Sequence, residues 1–367
     1  MARPRVLTAL SGGVDSSVAA LLLQRQGYDV VGVFLRNGIE APRDRCSTKQ
    51  GCCSVEDSLD AARVADRLGI PFHAIDMQEE FGGIIESFVD DYLHGRTPNP
   101  CIRCNRDIKF GALWSMADAL GAEYLASGHY AQVVAGPDGA ELHRGLDPRK
   151  DQSYVLFPVG PERLARTLLP VGGMHKDAVR ALAEEADLPV FAKPDSVEIC
   201  FVPSGDYRDL LRERGGLGKA GRLVHLDGRV LAEHDGHAGF TRGQRRRLGI
   251  ASTEPLYVLD IDEESGDVLV GPRAATGCTA AEVEGFHGFA CGIAVGERWE
   301  DVQVQYRSTP GGHPATAIGL GDGRVRVEFA APVESVNPGQ GLAVYRGMRL
   351  LGGGWIDRVE RAAGLAV

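Results

Sequence analysis

The 367-residue chain lacks an apolar run able to cross a membrane. Its best candidate, Val14 to Leu23, is far short of the roughly 20 residues a span needs, contains Asp15, Ser16 and Ser17, and directly follows Gly12-Gly13. No secretory pattern is visible, so the expected compartment is the cytoplasm and no membrane partner is expected. Cysteine is sparse for a disulfide scaffold: eight residues in a chain this long suit thiols with chemical or packing roles. No segment carries a long run of one charge, and no internal repeat is present, which argues against a disordered tail or a solenoid. A net charge of -10 with pI near 5.5 argues against bulk electrostatic capture of nucleic acid, although a local basic face is compatible with it. What remains, 44% hydrophobic and 25% charged residues, describes an ordinary globular protein of two or three domains at about 150 residues each.

The first part alternates strands and helices. Val6 to Leu10 is a short apolar run that stops at a glycine turn, a helix is expected from Asp15 to Gln26, and Asp29 to Leu35 is a valine-rich second strand. Such a strand-helix-strand unit pairs its strands in parallel. Ser54 and Asp57 resemble a capping box before a helix through Leu59, Ala62, Ala65 and Leu68, followed by a strand from Pro71 to Ile75. A helix over Glu79 to Leu93 is cut off by Thr97-Pro98-Asn99-Pro100, because each proline removes a donor and disfavours helix before it. A helix over Asp107 to Leu120 then leads to the strand Tyr124 to Ala126 and the loop Ser127-Gly128-His129-Tyr130. Open parallel sheets bind ligands at that edge. Past residue 205 the elements become short and Gly-rich, and from Glu282 a period of two dominates, most clearly in Arg324 to Phe329. The turns around it suit a small antiparallel barrel. The expected architecture is therefore α/β: a parallel-sheet nucleotide-type domain over 1–204, a small central domain over 205–275, and a C-terminal antiparallel β-barrel over 276–367.

The strongest local signal is Ser11-Gly12-Gly13-Val14-Asp15-Ser16-Ser17 between a strand and a helix. Glycines let the backbone approach a polyanion, while serine hydroxyls, amide hydrogens and the helix N-terminus favour its oxygens. There is no Walker-type GK[ST] ending. The segment instead resembles the pyrophosphate-binding loop (PP-loop) of the ATP pyrophosphatase superfamily, whose members split ATP to AMP and pyrophosphate while activating a carbonyl oxygen. The plain alternative is a Gly-rich turn with a serine cap. The second signal is Cys101-Ile102-Arg103-Cys104, with a distant Cys200. A CxxC alone is open between half a zinc site, to which Cys52, Cys53 or a histidine could add a ligand, a redox pair and coincidence. Beside an ATP-splitting loop, paired thiols suggest that sulfur attacks the activated carbonyl, since a thiolate is nucleophilic near neutral pH and a persulfide carries sulfane sulfur.

SGGVDSS, the Cys52-Cys53-Ser54 segment, GRTPNPCIRCNRDIKF from Gly95, ASGHYA from Ala126, GLDPRKDQSYVLF from Gly145, ICFVP from Ile199, GQRRRLGI from Gly243 and the LGGGW ending together resemble the tRNA-specific 2-thiouridylase family, in order over nearly the whole chain. The resemblance implies ATP-dependent replacement of oxygen by sulfur at C2 of the wobble uridine of certain tRNAs, with magnesium as a cofactor and a cysteine desulfurase or sulfur-relay protein as sulfur donor. Carried over by motif, Ala9, Leu10, Ser11, Gly12, Gly13, Val14, Asp15 and Ser16 form the nucleotide loop, Leu35 and Gly128 contact the adenosine, and Asp15 helps orient magnesium and phosphates. Cys200 is the implied persulfide carrier and Cys104 the partner thiol. Asn99, Pro100 and Cys101 are the implied base contacts; His129, Lys150, Asp151, Gln152, Gln305, Tyr306 and Gln340 match tRNA-contacting positions. The C-terminal barrel is the implied tRNA-binding domain, and Arg242, Arg245, Arg246 and Arg247 form a basic run suited either to phosphates or to a solvated loop.

One departure stands out. Many members of the family have aspartate where this chain has Cys101, so the acid-base or base-positioning role of that carboxylate is open here. Either a thiol substitutes weakly, or Cys101, Cys104 and Cys200 together ligate an iron-sulfur cluster with one iron left open to sulfide. Cys278 and Cys291 are expected to be small buried thiols of the barrel; His73, Phe110 and Trp114 are expected in the core. Two other functions fit part of the pattern. Another adenylating ligase of the superfamily explains the loop but not the cysteines, and a non-catalytic, nucleotide-gated tRNA-binding protein explains the loop and barrel but no poised thiols.

Overall fold

A computed structural model of the chain describes residues 3–38, 55–195, 199–202, 205–289 and 292–362. Cys52, Cys53, Ser54 and Cys291 lie outside them. The chain divides into two compact units, one comprising 1–84, 101–205 and 348–351, the other 85–100, 206–347 and 352–367.

The first unit is built on a parallel sheet. Strand β1 (Arg5–Ala9) leads through the glycine loop into helix α1 (Val14–Arg25), then β2 (Asp29–Arg36), α2 (Val55–Leu68), β3 (Phe72–Asp76) and α3 (Gln78–Leu93), within which the chain passes to the second unit. It returns through α4 (Pro100–Cys104), a π-helical segment (Asn105–Ala112), α5 (Leu113–Ala119) and β4 (Tyr124–Ala126). A hairpin of β5 (Ala131–Gly136) and β6 (Gly139–Arg144) follows, then a single 3₁₀ turn (Ser153–Leu156), α6 (Pro161–Leu164), β7 (Thr167–Leu168) and α7 (Lys176–Glu185). The strand order is β3-β2-β1-β4-β7, all parallel. Central β1 has Val6, Leu7 and Thr8 fully buried, as a parallel strand covered on both faces must. Helix α1 is apolar on more than one side because it is covered on more than one side. Ala20 and Leu23 pack with Val6, Phe34 and Ala61, whereas Val14, Val18, Ala19 and Leu21 pack with Tyr130, Val171, Val179 and Leu188.

Two sequence expectations change. The Thr97-Pro98-Asn99-Pro100 break ends one residue early, because Pro100 is the first residue of α4, where a proline's missing donor is no loss. The helical stretch expected from Asp107 therefore begins at Pro100 and carries both Cys101 and Cys104. His73 is exposed on the edge strand β3 rather than in the core; Phe110 and Trp114 are in the core as expected.

The second unit starts, after α3, with α8 (Tyr207–Arg214) and contains two sheets. Strands β8 (Gly221–His225), β9 (Val230–His234), β10 (Leu256–Ile261) and β11 (Val268–Pro272) form a sheet of order β10-β11-β8-β9 around Leu223, Val258, Val268 and Val270. Strands β12 (Gly277–Gly288), β13 (Arg298–Gln305), β14 (His313–Gly321), β15 (Arg324–Glu334), β16 (Gly341–Arg346) and β17 (Arg349–Arg361) run β12-β15-β14-β13-β16-β17, and β17 pairs back to β12. That pairing closes a six-stranded antiparallel barrel and removes its free edges. Among the described residues no helix is long and apolar enough to cross a membrane.

Candidate active site

The glycine loop is shaped by close packing as well as by its own hydrogen bonds. Gly12 has φ +70°, and a Cβ there would lie 2.2 Å from the Asp57 carbonyl oxygen at the start of α2, so only glycine fits. Gly13 is different: a Cβ there would meet Ser11 Oγ at 3.5 Å, an ordinary contact. The Ser11 amide donates to Ser16 Oγ (3.1 Å), and the Ser17 hydroxyl donates to the Gly13 carbonyl (2.7 Å). Ser11 is exposed, and Gly13 and Asp15 are half-buried, whereas Leu10, Gly12, Val14 and Ser16 are buried. The loop thus presents its turn and the α1 N-terminus outward while its ends are fixed, the form of an anion-binding site.

Gly128, after β4, explains how two strand ends meet. A Cβ at 128 would stand 2.6 Å from the Ser16 amide nitrogen and 2.7 Å from the Asp15 carbonyl carbon. The 127–130 loop therefore lies directly on the first turn of α1. His129 is buried, its Nδ1 2.8 Å from Ser127 Oγ; burial, with Lys109 adding to it, holds its pKa well below the ordinary histidine value. Tyr130 donates its hydroxyl to Asp15 Oδ1 (2.8 Å), and its pKa is raised by burial and by the Asp15 charge.

Charged residues that the sequence reading passed over surround this loop. Lys176 donates to both Asp15 oxygens (2.7 and 2.9 Å) and to Asp195 (2.8 Å). Asp195 also receives Lys150 (2.6 Å) and Arg180 (2.7 Å). Burial alone would raise the Asp195 pKa, but hydrogen bonds from Lys150 and Lys176 and their charges bring it down to about 2. Lys193 donates to Asp57 (2.7 Å), Asp60 (2.7 Å) and the Gly12 carbonyl (3.0 Å), tying the loop to α2. No pattern of spacing flags Lys176, Lys193 or Asp195, since each works across distant elements.

Cys101 and Cys104 stand three apart on α4, hence on one side of it; Cys101 is exposed, and Cys104 and Cys200 are partly so. Ile102 between them is fully buried and anchors the turn. All three cysteines belong to the unit that carries the loop. Among the described residues no three His, Cys, Asp or Glu side chains are grouped as a metal would require. Cys278 is buried in the barrel, with its thiol pKa pushed up by burial.

The other predicted contacts separate into committed and available groups. Asp151 accepts from Arg144 (2.8 Å), the Gly145 amide (2.9 Å) and the Ser153 amide (3.0 Å), a structural role. The Gln152 side chain accepts from the Tyr130 amide (3.0 Å). Leu35 is buried in β2. In the second unit Gln305 and Tyr306 are buried; Gln305 donates to the Arg307 carbonyl (3.1 Å) and Tyr306 to the Glu334 carbonyl (3.0 Å). Gln340 follows the Asn337-Pro338-Gly339 turn, whose Pro338 carbonyl accepts from the Thr97 amide (2.8 Å), two residues before Asn99. Its Oε1 is buried and makes no hydrogen bond among the described residues. The basic run divides as well. Arg242 is fastened to Asp260 (2.7 Å) and to the Gly95 carbonyl. Arg247 pairs with Asp206 (3.1 Å), while Arg245 and Arg246 are exposed.

A parallel sheet whose strand ends hold a PP-loop, with Cys101, Cys104 and Cys200 on the same unit and a second unit of a four-stranded sheet and a closed barrel, defines an ATP-pyrophosphatase-type domain joined to β domains. Family models described as tRNA methyl transferase HUP domain, tRNA methyl transferase PRC-barrel domain and aminomethyltransferase beta-barrel domain match residues 4–204, 208–272 and 293–356. The chain is 43% identical over 358 residues to a protein of Rickettsia felis (96% of each chain), 45% identical over 377 residues to one of Rhodospirillum centenum (99% of this chain, 94% of the other), and 44% identical over 367 residues to one of Geobacter metallireducens (97% of each). All three are named tRNA-specific 2-thiouridylase MnmA. The chain belongs to the tRNA-specific 2-thiouridylase family.

Proposed function

We propose that this protein is a tRNA-uridine 2-sulfurtransferase that uses ATP to replace the C2 oxygen of the wobble uridine by sulfur. The observation that carries the reading is near-full-length kinship at 43–45% identity to proteins of that name in a chain whose PP-loop and cysteines share one compact unit. The methyl transferase wording of two matching family models has no counterpart in that chemistry, whereas an ATP-splitting loop beside thiols does.

In this reading Ala9 to Ser16 hold the ATP phosphates, with the exposed Ser11 side chain supplying a hydroxyl and the α1 N-terminus favouring the charge. Leu35 and Gly128 border the adenosine. Magnesium fits as an ion brought with the phosphates, which supply most of its ligands; it neutralises phosphate charge, and Asp15 is the carboxylate at hand. The uridine C2 oxygen attacks the α-phosphorus, and pyrophosphate leaves. The terminal sulfur of a Cys200 persulfide then bonds to C2, and AMP departs with the former oxygen. Cys104 thiolate attacks the Cys200 sulfur and breaks the S–S bond to the base, leaving the thiocarbonyl and a Cys104–Cys200 disulfide that an external thiol reductant reopens. Asn99, Pro100 and Cys101 border the base, with Cys101 assisting in place of a carboxylate. His129, Lys150, Gln152 and Gln340 lie toward the tRNA; the buried Gln305 and Tyr306 support the barrel wall. The working division is 1–204 for catalysis, 205–275 as central domain and 276–367 for tRNA binding, with a persulfide-bearing desulfurase or relay protein as donor and the cytoplasm as its place of action.

The test is thionucleoside analysis of tRNA incubated with the protein, ATP, magnesium and a persulfide donor under iron-free conditions. Wild type and Cys101→Ala are expected to form 2-thiouridine; Cys200→Ser and Cys104→Ser are expected to release pyrophosphate without forming it. Absence of 2-thiouridine from wild type, or its undiminished formation by Cys200→Ser, would overturn the reading.

A further inference from the structure

Lys193 reaches the glycine loop from a fixed backbone. Its amide donates to the Val190 carbonyl (2.9 Å), its carbonyl accepts from Arg180 of α7 (3.1 Å), and Pro194 follows it. An ammonium has three donors, and here each finds an acceptor: Asp57 Oδ1 (2.7 Å), Asp60 Oδ2 (2.7 Å) and the Gly12 carbonyl oxygen (3.0 Å). Burial works against the charge, but hydrogen bonds to the two carboxylates and their charges outweigh it and raise the Lys193 pKa. One cation thus joins two carboxylates of α2 to a backbone oxygen of the loop. The peptide it holds, Gly12–Gly13, has no Cβ on either side, so side-chain sterics offer little resistance to its flipping over. In a trans peptide the carbonyl and the N–H point in opposite directions. A Gly12 carbonyl held at Lys193, beside Asp57 and Asp60, therefore turns the Gly13 N–H away from those carboxylates. The flipped peptide would do the reverse, pointing its N–H at the carboxylates and presenting a carbonyl oxygen in its place.

We propose that Lys193 is a positioning residue that selects between these two orientations, keeping the Gly12–Gly13 peptide as a hydrogen-bond donor to nucleotide phosphates. The inference rests on the ATP-dependent reading above and deepens it by assigning how the loop is kept receptive to an anion. Lys193 acts on the phosphates through the loop backbone and does not itself bind them, because its three donors are engaged and two carboxylates stand beside it. Asp57 and Asp60 are its seat: they hold the ammonium charged and in place under the Gly12 carbonyl. Asp57 is buried, and its own carbonyl oxygen packs against Gly12, so α2 is the fixed wall from which the loop is held. A donor oriented before the anion arrives costs no reorganisation on binding. Without the lysine, the same two carboxylates would draw the Gly13 N–H toward themselves.

The experiment uses the full-length protein and isothermal titration calorimetry with three probes: α,β-methylene-ATP, inorganic pyrophosphate and adenosine. Lys193→Met is expected to weaken binding of the analogue and of pyrophosphate by about tenfold or more, the size of one lost hydrogen bond to a charged group, and to leave adenosine binding as in wild type. Lys193→Arg is expected to recover part of the loss, since a guanidinium can donate to the carboxylates and the carbonyl together. Asp57→Asn and Asp60→Asn keep the lysine but loosen its seat, and are expected to weaken the analogue in the same direction by less. A Lys193→Met variant that binds the analogue as wild type does, or that loses adenosine to the same degree, would overturn the proposal. Tighter analogue binding by the carboxylate variants would overturn it too, because that is the behaviour of a lysine freed to grip phosphate directly. Wild type that binds pyrophosphate but neither the analogue nor adenosine would instead remove the ATP reading, and the pyrophosphate arm still decides the role of Lys193.

Discussion

At the scale of single residues, the site is governed by what its glycines exclude and by what its buried side chains cannot ionise. At Gly128 a methyl group would meet the backbone of Asp15 and Ser16, which cannot rotate away. Gly128→Ala is therefore expected to lower stability by about 1–3 kcal/mol and to raise the KM for ATP, checked by urea unfolding and by AMP formation against ATP concentration. His129 gives a pH dependence of known sign. Its pKa is depressed by burial and by Lys109, so as pH falls below the unfolded value near 6.5 the unfolded chain binds a proton that the folded chain refuses, and stability declines. His234, His287 and His313 are depressed by burial too, so only a difference curve isolates one residue. His129→Gln is expected to show a shallower loss of melting temperature between pH 7.5 and 5.5 than wild type; parallel curves would assign the acid limb to the other histidines.

At the scale of elements, the helical stretch that bears Cys101 and Cys104 is interrupted by a π-helical segment, Asn105–Ala112. Such segments cost backbone regularity and recur at functional sites. Gly111 makes this one feasible, since a Cβ there would sit 2.7 Å from the Arg106 carbonyl oxygen. Gly111→Ala is expected to destabilise the protein by about 1–3 kcal/mol and, because Cys104 immediately precedes the segment, to reduce 2-thiouridine formation more than ATP cleavage. Urea unfolding and the thiouridine-to-AMP ratio measure the two effects. Nothing in the sequence announces this feature: the apolar spacing of Ile108, Phe110 and Trp114 suits any wide helix, and hydrogen-bond register leaves no mark in composition. The parallel strands were legible because they are buried on both faces and read as continuous apolar runs, as Val6-Leu7 and Val30-Val31 do. The glycine loop was legible because its residues are adjacent. The ring of Lys176, Asp195 and Lys193 was not, because it is assembled from separated elements and lysine and aspartate usually mark solvated surface. For the same reason the burial of Gln305 and Tyr306, and the capture of Arg242 by Asp260, appear only once the strands are in register.

At the scale of the whole molecule, a protein with net charge -10 has to attract a polyanion through a confined basic area rather than through its overall field. Many of its arginines are already paired with carboxylates. Arg242 is locked to Asp260, Arg247 to Asp206, Arg326 to Glu360 and Arg222 to Asp267. Arg245 and Arg246 are exposed, and their side chains make no ion pair among the described residues. They stand where Arg247, with φ +61°, turns the chain, and Arg242 fixes the approach to that turn by holding the Gly95 carbonyl. A loop with an intramolecular ion pair at each end, Arg242–Asp260 and Arg247–Asp206, and two exposed cations between can contribute phosphate contacts with little loss of side-chain order elsewhere. Each phosphate contact releases counterion, so replacing both arginines is expected to flatten the dependence of log binding constant on log salt by about 1.5–2 units. Tm and tRNA-independent ATP cleavage are expected to stay near wild type. By contrast, Arg242→Ala is expected to lower Tm without a comparable change in slope, because it removes the tie to Asp260 and to the Gly95 carbonyl. Fluorescence-anisotropy titrations of tRNA at several salt concentrations measure both; an unchanged slope for Arg245→Ala/Arg246→Ala would return those side chains to the solvated surface.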